Sequence, residues 1–143
     1  MFDAEGSRVV ELNWLAVVIA TGVGMAVAGV WYGKVFTTLW STVTGVTAED
    51  SAKASRRNMA LLVVANGVTA VGLAAGIEVA SMAAGSEALW LALLVGFGAW
   101  LTFSATTLLQ HNAFELKSAR LTALNSAYQL VLFLGMALTI RLV

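Results

Sequence analysis

Four stretches of this sequence run for 20 residues or more without Asp, Glu, Lys or Arg. They are 12–33 (22 residues), 58–77 (20), 88–114 (27) and 121–140 (20). A helix crossing a hydrocarbon core of about 30 Å needs about 20 apolar residues. The windows therefore predict four transmembrane helices, with spans near 12–33, 59–81, 87–109 and 121–141. Membrane β-strands would run for about 10 residues and alternate in polarity, whereas these windows are continuous. The expected architecture is one integral-membrane domain over residues 1–143, an all-α bundle of four transmembrane helices. The chain has no proline, so nothing forces a kink or break in any of them.

Composition closes the soluble alternatives. Charged residues make up 11% and hydrophobic residues 59%, against roughly 25% and 45–50% in soluble domains. Zero net charge leaves no basic stripe for nucleic acid. The absence of cysteine removes disulfides, thiolate nucleophiles and zinc-thiolate sites. The first window could be a cleavable signal, since Ala26-Val27-Ala28 loosely resembles a cleavage site. The segment before it sets Asp3, Glu5 and Glu11 against Arg8, and a signal peptide wants a positive start. We read the window as a span.

Basic residues set the expected direction. With four spans, the two termini and the loop near Gly85 share a side, which holds Arg8 and Arg141. The other side holds Lys34, Lys53, Arg56, Arg57, Lys117 and Arg120. Short cytoplasmic loops are enriched in Lys and Arg, so both termini are expected on the outer side. Trp14, Trp31, Tyr32 and Trp90 sit near span ends and are expected as interface anchors. Trp100 lies inside the third span and is expected to pack against another helix.

Connections read as follows. Thr47, followed by Glu49 and Asp50, looks like a helix start. The favoured reading is one continuous helix from there through the second span, with a short surface helix and a bend as the alternative. Gly85 suits a helix C-terminus and Ser86 the next N-cap, making spans two and three antiparallel neighbours. A faint parallel repeat sets Trp14-Leu15-Ala16 against Trp90-Leu91-Ala92, and Asn66 against Asn125. Apolar helices match so easily by chance that we attach no duplication to it.

The polar residues inside the spans are the candidates for chemistry. Asn66, Gln110, Asn125, Tyr128 and Gln129 fall at similar depth near the basic end, with Thr106 and Thr107 beside them. Amides facing lipid would leave donors unsatisfied, so they should point inward and pair. Interhelical hydrogen bonding is the plain reading; a polar vestibule open to the cytoplasm is the functional one. Gly29-x-x-x-Gly33 and Gly72-x-x-x-Gly76 have the spacing of close helix packing, within one bundle or between subunits. His111 is the sole histidine and lacks partners for a metal site. Glu78 is shallow enough to meet water. No metal and no cofactor is expected.

The segment Gly29-Val30-Trp31-Tyr32-Gly33 with Trp40, and the stretch from Phe114-Glu115 through Asn125-Ser126-Ala127-Tyr128-Gln129-Leu130 to Gly135-Met136, resemble a bacterial integral-membrane family catalogued as domain of unknown function 1761. The resemblance covers nearly the whole chain. It implies four spans in the bacterial cytoplasmic (inner) membrane and carries over no catalytic residue. The expected function is that of a structural or interaction protein, a homo-oligomer or the accessory subunit of another membrane protein, surrounded by lipid. The alternative is an oligomeric channel or transporter for a small solute. No catalytic constellation argues for an enzyme.

Overall fold

A computed structural model of the protein describes residues 9–143; Asp3, Glu5 and Arg8 lie outside the described residues. Helix α1 spans Trp14–Val30 and starts where the Asn13 side chain accepts the Ala16 N–H at 3.2 Å. It runs into a π-helical turn, Trp31–Val35. A short helix α2 follows, Thr37–Thr44, closed by Gly45 at φ 72°. The long helix α3 covers Ala48–Ala84 without a break, 37 residues. At about 1.5 Å per residue it is about 55 Å long. Thr47 and Asp50 each accept the other's backbone N–H, at 3.1 and 3.3 Å, so both ends of the first turn are satisfied.

Gly85 ends α3 in the left-handed region at φ 63°, which favours glycine. Helix α4, Leu89–Ala99, then begins with Ala88 at the cap position. Ser86 supports this turn from two residues earlier, accepting the Ala88 N–H at 3.2 Å, so it is not the N-cap itself. A second π-helical turn, Trp100–Ala105, leads into α5, Thr106–Phe114. Ser118 caps α6, Ala119–Leu142, by accepting the N–H groups of Arg120 and Leu121. Among the described residues there is no strand.

Among the described residues, four helical runs are long and apolar enough to cross a membrane: Trp14–Val35, Ala48–Ala84, Leu89–Phe114 and Ala119–Leu142. Each overlaps one of the expected spans. They form a ring in which α1 and α4 each lie between α3 and α6, and α6 also touches α3. The main core gathers Val17, Ala20, Leu73, Tyr128, Leu132 and Met136, and a smaller cluster of Ile77, Ala92 and Ala137 lies beside it.

The close helix contacts rest on other small residues than the sequence suggested. Ala16, Ala20, Gly24 and Ala28 recur every four residues on α1, and all are buried. A Cβ on Gly24 would come within 2.6 Å of the Met136 methyl and 2.9 Å of the Asn66 side chain. On α4, a Cβ on Gly96 would meet the Ala137 Cβ at 2.9 Å and the Phe133 carbonyl oxygen at 3.2 Å. By contrast, Gly29, Gly33 and Gly72 have nothing within 4 Å of that position, and Gly76 meets only Val95, at 3.4 Å. Packing within the bundle therefore does not account for the Gly29-x-x-x-Gly33 stripe or for Gly72. The reason is one of facing: these glycines lie on helix surfaces that no neighbouring helix covers.

Threonine is accommodated in the apolar spans by bonding its hydroxyl back to its own helix. Thr21, Thr102, Thr106, Thr107 and Thr139 each donate to the carbonyl four residues earlier, at 2.6–2.8 Å. Each donor is thereby satisfied without water or a partner helix.

Candidate functional site

Both π-helical turns converge on one turn of α6. A π turn places one more residue in a helical turn than an α-helix does. In α1 it opens with the Phe36 N–H donating to the Trp31 carbonyl at 2.8 Å, five residues apart. The Thr37 hydroxyl donates to the Tyr32 carbonyl at 2.7 Å and closes the same turn. The widened turn lets two adjacent aromatics, Trp31 and Tyr32, both reach Tyr128. Tyr32 meets it edge-on with ring centres 4.9 Å apart, and Trp31 lies 6.4 Å away. The Tyr32 hydroxyl donates to Asn125 Oδ1 at 2.6 Å. From the other side, Trp100 Nε1, in the second π turn, donates to the Ser126 carbonyl at 2.9 Å. Asn125, Ser126 and Tyr128 are thus gripped from two helices at once. Trp100 packs across helices as expected.

Two hollows flank this junction. One lies where α1, α2 and α3 meet, with a volume of about 1050 Å³; Tyr32, Trp40, Gly29, Gly33, Ser55 and Met59 are among the residues that line it. The other, about 620 Å³, runs between α3 and the third span along Gly72, Gly76 and Gly98, with Thr69, Thr102 and Phe133 beside them.

The aromatic junction and the C-terminal helix fall in the two segments whose resemblance was noted above, and a family model described as "protein of unknown function (DUF1761)" matches residues 15–141. The chain belongs to this family. No curated protein and no solved structure matches it.

In this DUF1761 chain the amides expected to cluster take separate partners. Asn66 is 2% exposed and its Nδ2 donates to the Met25 sulfur at 3.5 Å, against the Gly24 backbone. Asn125 takes Tyr32. Gln110 is exposed on α5 and Gln129 half-buried on α6. The structure therefore joins Asn125 and Tyr128 through Tyr32, and leaves Asn66, Gln110 and Gln129 out of that group. The two asparagines take their partners from the first span, Met25 on α1 and Tyr32 in the π turn that follows it.

Trp14 and Trp90 point outward, 62% and 61% exposed, while Trp31 and Tyr32 turn into the bundle. His111 is exposed and Glu78 half-buried. Among the described residues no three His, Asp or Glu side chains gather as metal ligands would.

Sequence reasoning missed three features. The Ala16/Ala20/Gly24/Ala28 stripe was visible once alanine is counted as small. Asn112, buried, donates to the Thr122 hydroxyl at 3.0 Å and ties α5 to α6; only its position beside the turn hinted at this. At the opposite end, Arg141 donates to the Ser81 hydroxyl on α3, so this basic residue is a helix-to-helix tie as well as a charge.

Proposed function

We propose that this DUF1761 protein is a multi-pass protein of the bacterial cytoplasmic membrane that acts by helix interaction, as a homo-oligomer, without catalysis. The observation that carries this reading is the groove along Gly72, Gly76 and Gly98, which the chain's own side chains leave unfilled. Helices associate in lipid chiefly by close backbone approach at small residues. A groove floored by three glycines on two neighbouring helices offers that approach to a helix of a second copy.

Gly72 and Gly98 both have open space at the Cβ position. Gly72→Ile with Gly98→Ile should therefore leave the monomer folded and prevent assembly. Mass measurement in mild detergent and in lipid nanodiscs reads the result. A wild type that stays monomeric at high protein concentration overturns the proposal.

The reading also sets the basic end, with Lys34, Arg56 and Lys117, in the cytoplasm, on the strength of the excess of Lys and Arg there. A single cysteine at Val143 should react with an impermeant reagent added to intact cells, and Arg56→Cys and Lys117→Cys should react only after lysis. Outside labelling of Arg56→Cys would reverse the orientation.

A further inference from the structure

The larger hollow changes chemistry along its length. On α3, Ser51, Ser55 and Asn58 line one end, and Met59, next to Asn58, and Leu62, one turn beyond it, continue into the apolar span. Met25 and Ala28 face this deeper part from α1. Small residues keep the space open: Gly29 and Gly33 both line it, and a Cβ on either would touch nothing within 4 Å. Helix α2 seats on α6 and on the first π turn, through Trp40 against Tyr32, with ring centres 6.2 Å apart.

The polar groups at the mouth are available. Thr37, Ser41 and Thr47 use their hydroxyls within the chain. Ser51 and Ser55 use theirs in no hydrogen bond among the described residues. This sets them apart from Thr21, Thr102, Thr106, Thr107 and Thr139, which bond back to their own helices. Arg57 occupies Asn58 Oδ1, at 3.3–3.4 Å, so the Asn58 amide keeps its two N–H donors. Among the described residues, no Asp, Glu, Lys, Arg or His lines the hollow. Of the basic side chains nearby, Lys53 pairs with Glu49 at 3.2 Å and Arg57 donates to Asn58; Lys34 and Arg56 are exposed, Arg56 beside Ser55 but outside the lining.

We propose that this hollow binds an uncharged amphiphile, its hydrogen-bonding head among Ser51, Ser55 and Asn58 and its hydrocarbon chain against Met25, Met59 and Leu62. An ionised head would find no counter-charge in the lining, whereas a hydroxyl, carbonyl or amide head finds donors and acceptors. The volume, at the upper end of the roughly 300–1,000 Å³ typical of small-molecule sites, holds a head and part of a chain. This site is separate from the Gly72 groove, so it stands whether or not the chain assembles.

The test uses the full chain in phosphatidylcholine nanodiscs with rising fractions of a bromine-labelled monoacylglycerol, which quenches nearby tryptophan. Trp40 lines the hollow, and a Trp40→Phe sample isolates its signal. The expected result is saturable quenching of Trp40. Gly29→Leu, whose Cβ would meet nothing within 4 Å at this lining position, should abolish it. Ser51→Ala with Ser55→Ala should weaken it about fivefold. Retention of radiolabelled monoacylglycerol through gel filtration, wild type against Gly29→Leu, reads the same site without replacing Trp40. Quenching that rises linearly and equally in Gly29→Leu overturns the site. Equal competition by anionic phosphatidylglycerol overturns the uncharged head.

Discussion

Gly96→Leu should lower the stability of the bundle by about 3 kcal/mol, the upper end of the usual overpacking cost. The first carbon of any side chain there lands 2.9 Å from the Ala137 Cβ and 3.2 Å from the Phe133 carbonyl oxygen. Neither obstacle can turn aside: alanine has no rotamer to change, and the carbonyl belongs to the α6 backbone. Relief requires α4 and α6 to separate, which also pulls Trp100 from the Ser126 carbonyl. Gly24→Leu should cost less, because one of its obstacles is the flexible end of Met136. Gly29→Leu meets open space and should change stability by no more than about 0.5 kcal/mol. Reversible unfolding in mixed micelles, followed by circular dichroism, ranks the three. A Gly96→Leu variant as stable as Gly29→Leu would mean that α4 and α6 do not approach as described.

Tyr128→Ala should cost about 3–5 kcal/mol, in the range of large-aromatic truncations. The residue is 4% exposed, belongs to the main core and supports both Trp31 and Tyr32. Its removal takes the floor from under the first π turn. The hydroxyl is a different matter, since Tyr128 Oη makes no hydrogen bond among the described residues. Tyr128→Phe should therefore change stability little, within about 0.5 kcal/mol. Tyr32→Phe removes the donor to Asn125 and should cost about 1 kcal/mol. Equal losses in Tyr128→Phe and Tyr128→Ala would show that the hydroxyl, not the ring, holds the junction.

The parts of the fold written in local chemistry were legible. Charge-free windows located the four spans, because burying a charge in hydrocarbon is expensive anywhere along a helix. Thr47, Asp50 and Gly85 marked the ends of α3 through rules that involve only neighbouring residues. The two π turns were not legible. Nothing in Trp31–Val35 announces a wider turn, and its extra residue makes sense only once Tyr128 stands opposite. The partners of the asparagines were hidden for a related reason. Depth estimates put Asn66 and Asn125 at one level, but level says nothing of the direction in which each helix turns its side chains. The glycine stripes show the same limit: spacing finds a smooth face, and only the neighbours decide whether a helix lies on it.

The unbroken length of α3 makes it a lever. A hydrocarbon core about 30 Å thick leaves about 25 Å of its 37 residues beyond the apolar layer. Rocking the embedded part by about 10° swings the far end, near Thr47, by about 4 Å. Helix α2 is fastened to α6 and to the first π turn and is joined to α3 by residues 45–47, so that short link would have to take up the swing. Ser51 and Ser55 ride on the moving arm, while Trp40 and Tyr32 stay with the fixed body. A change in bilayer thickness that retilted α3 would thereby change the gap between those two pairs of side chains.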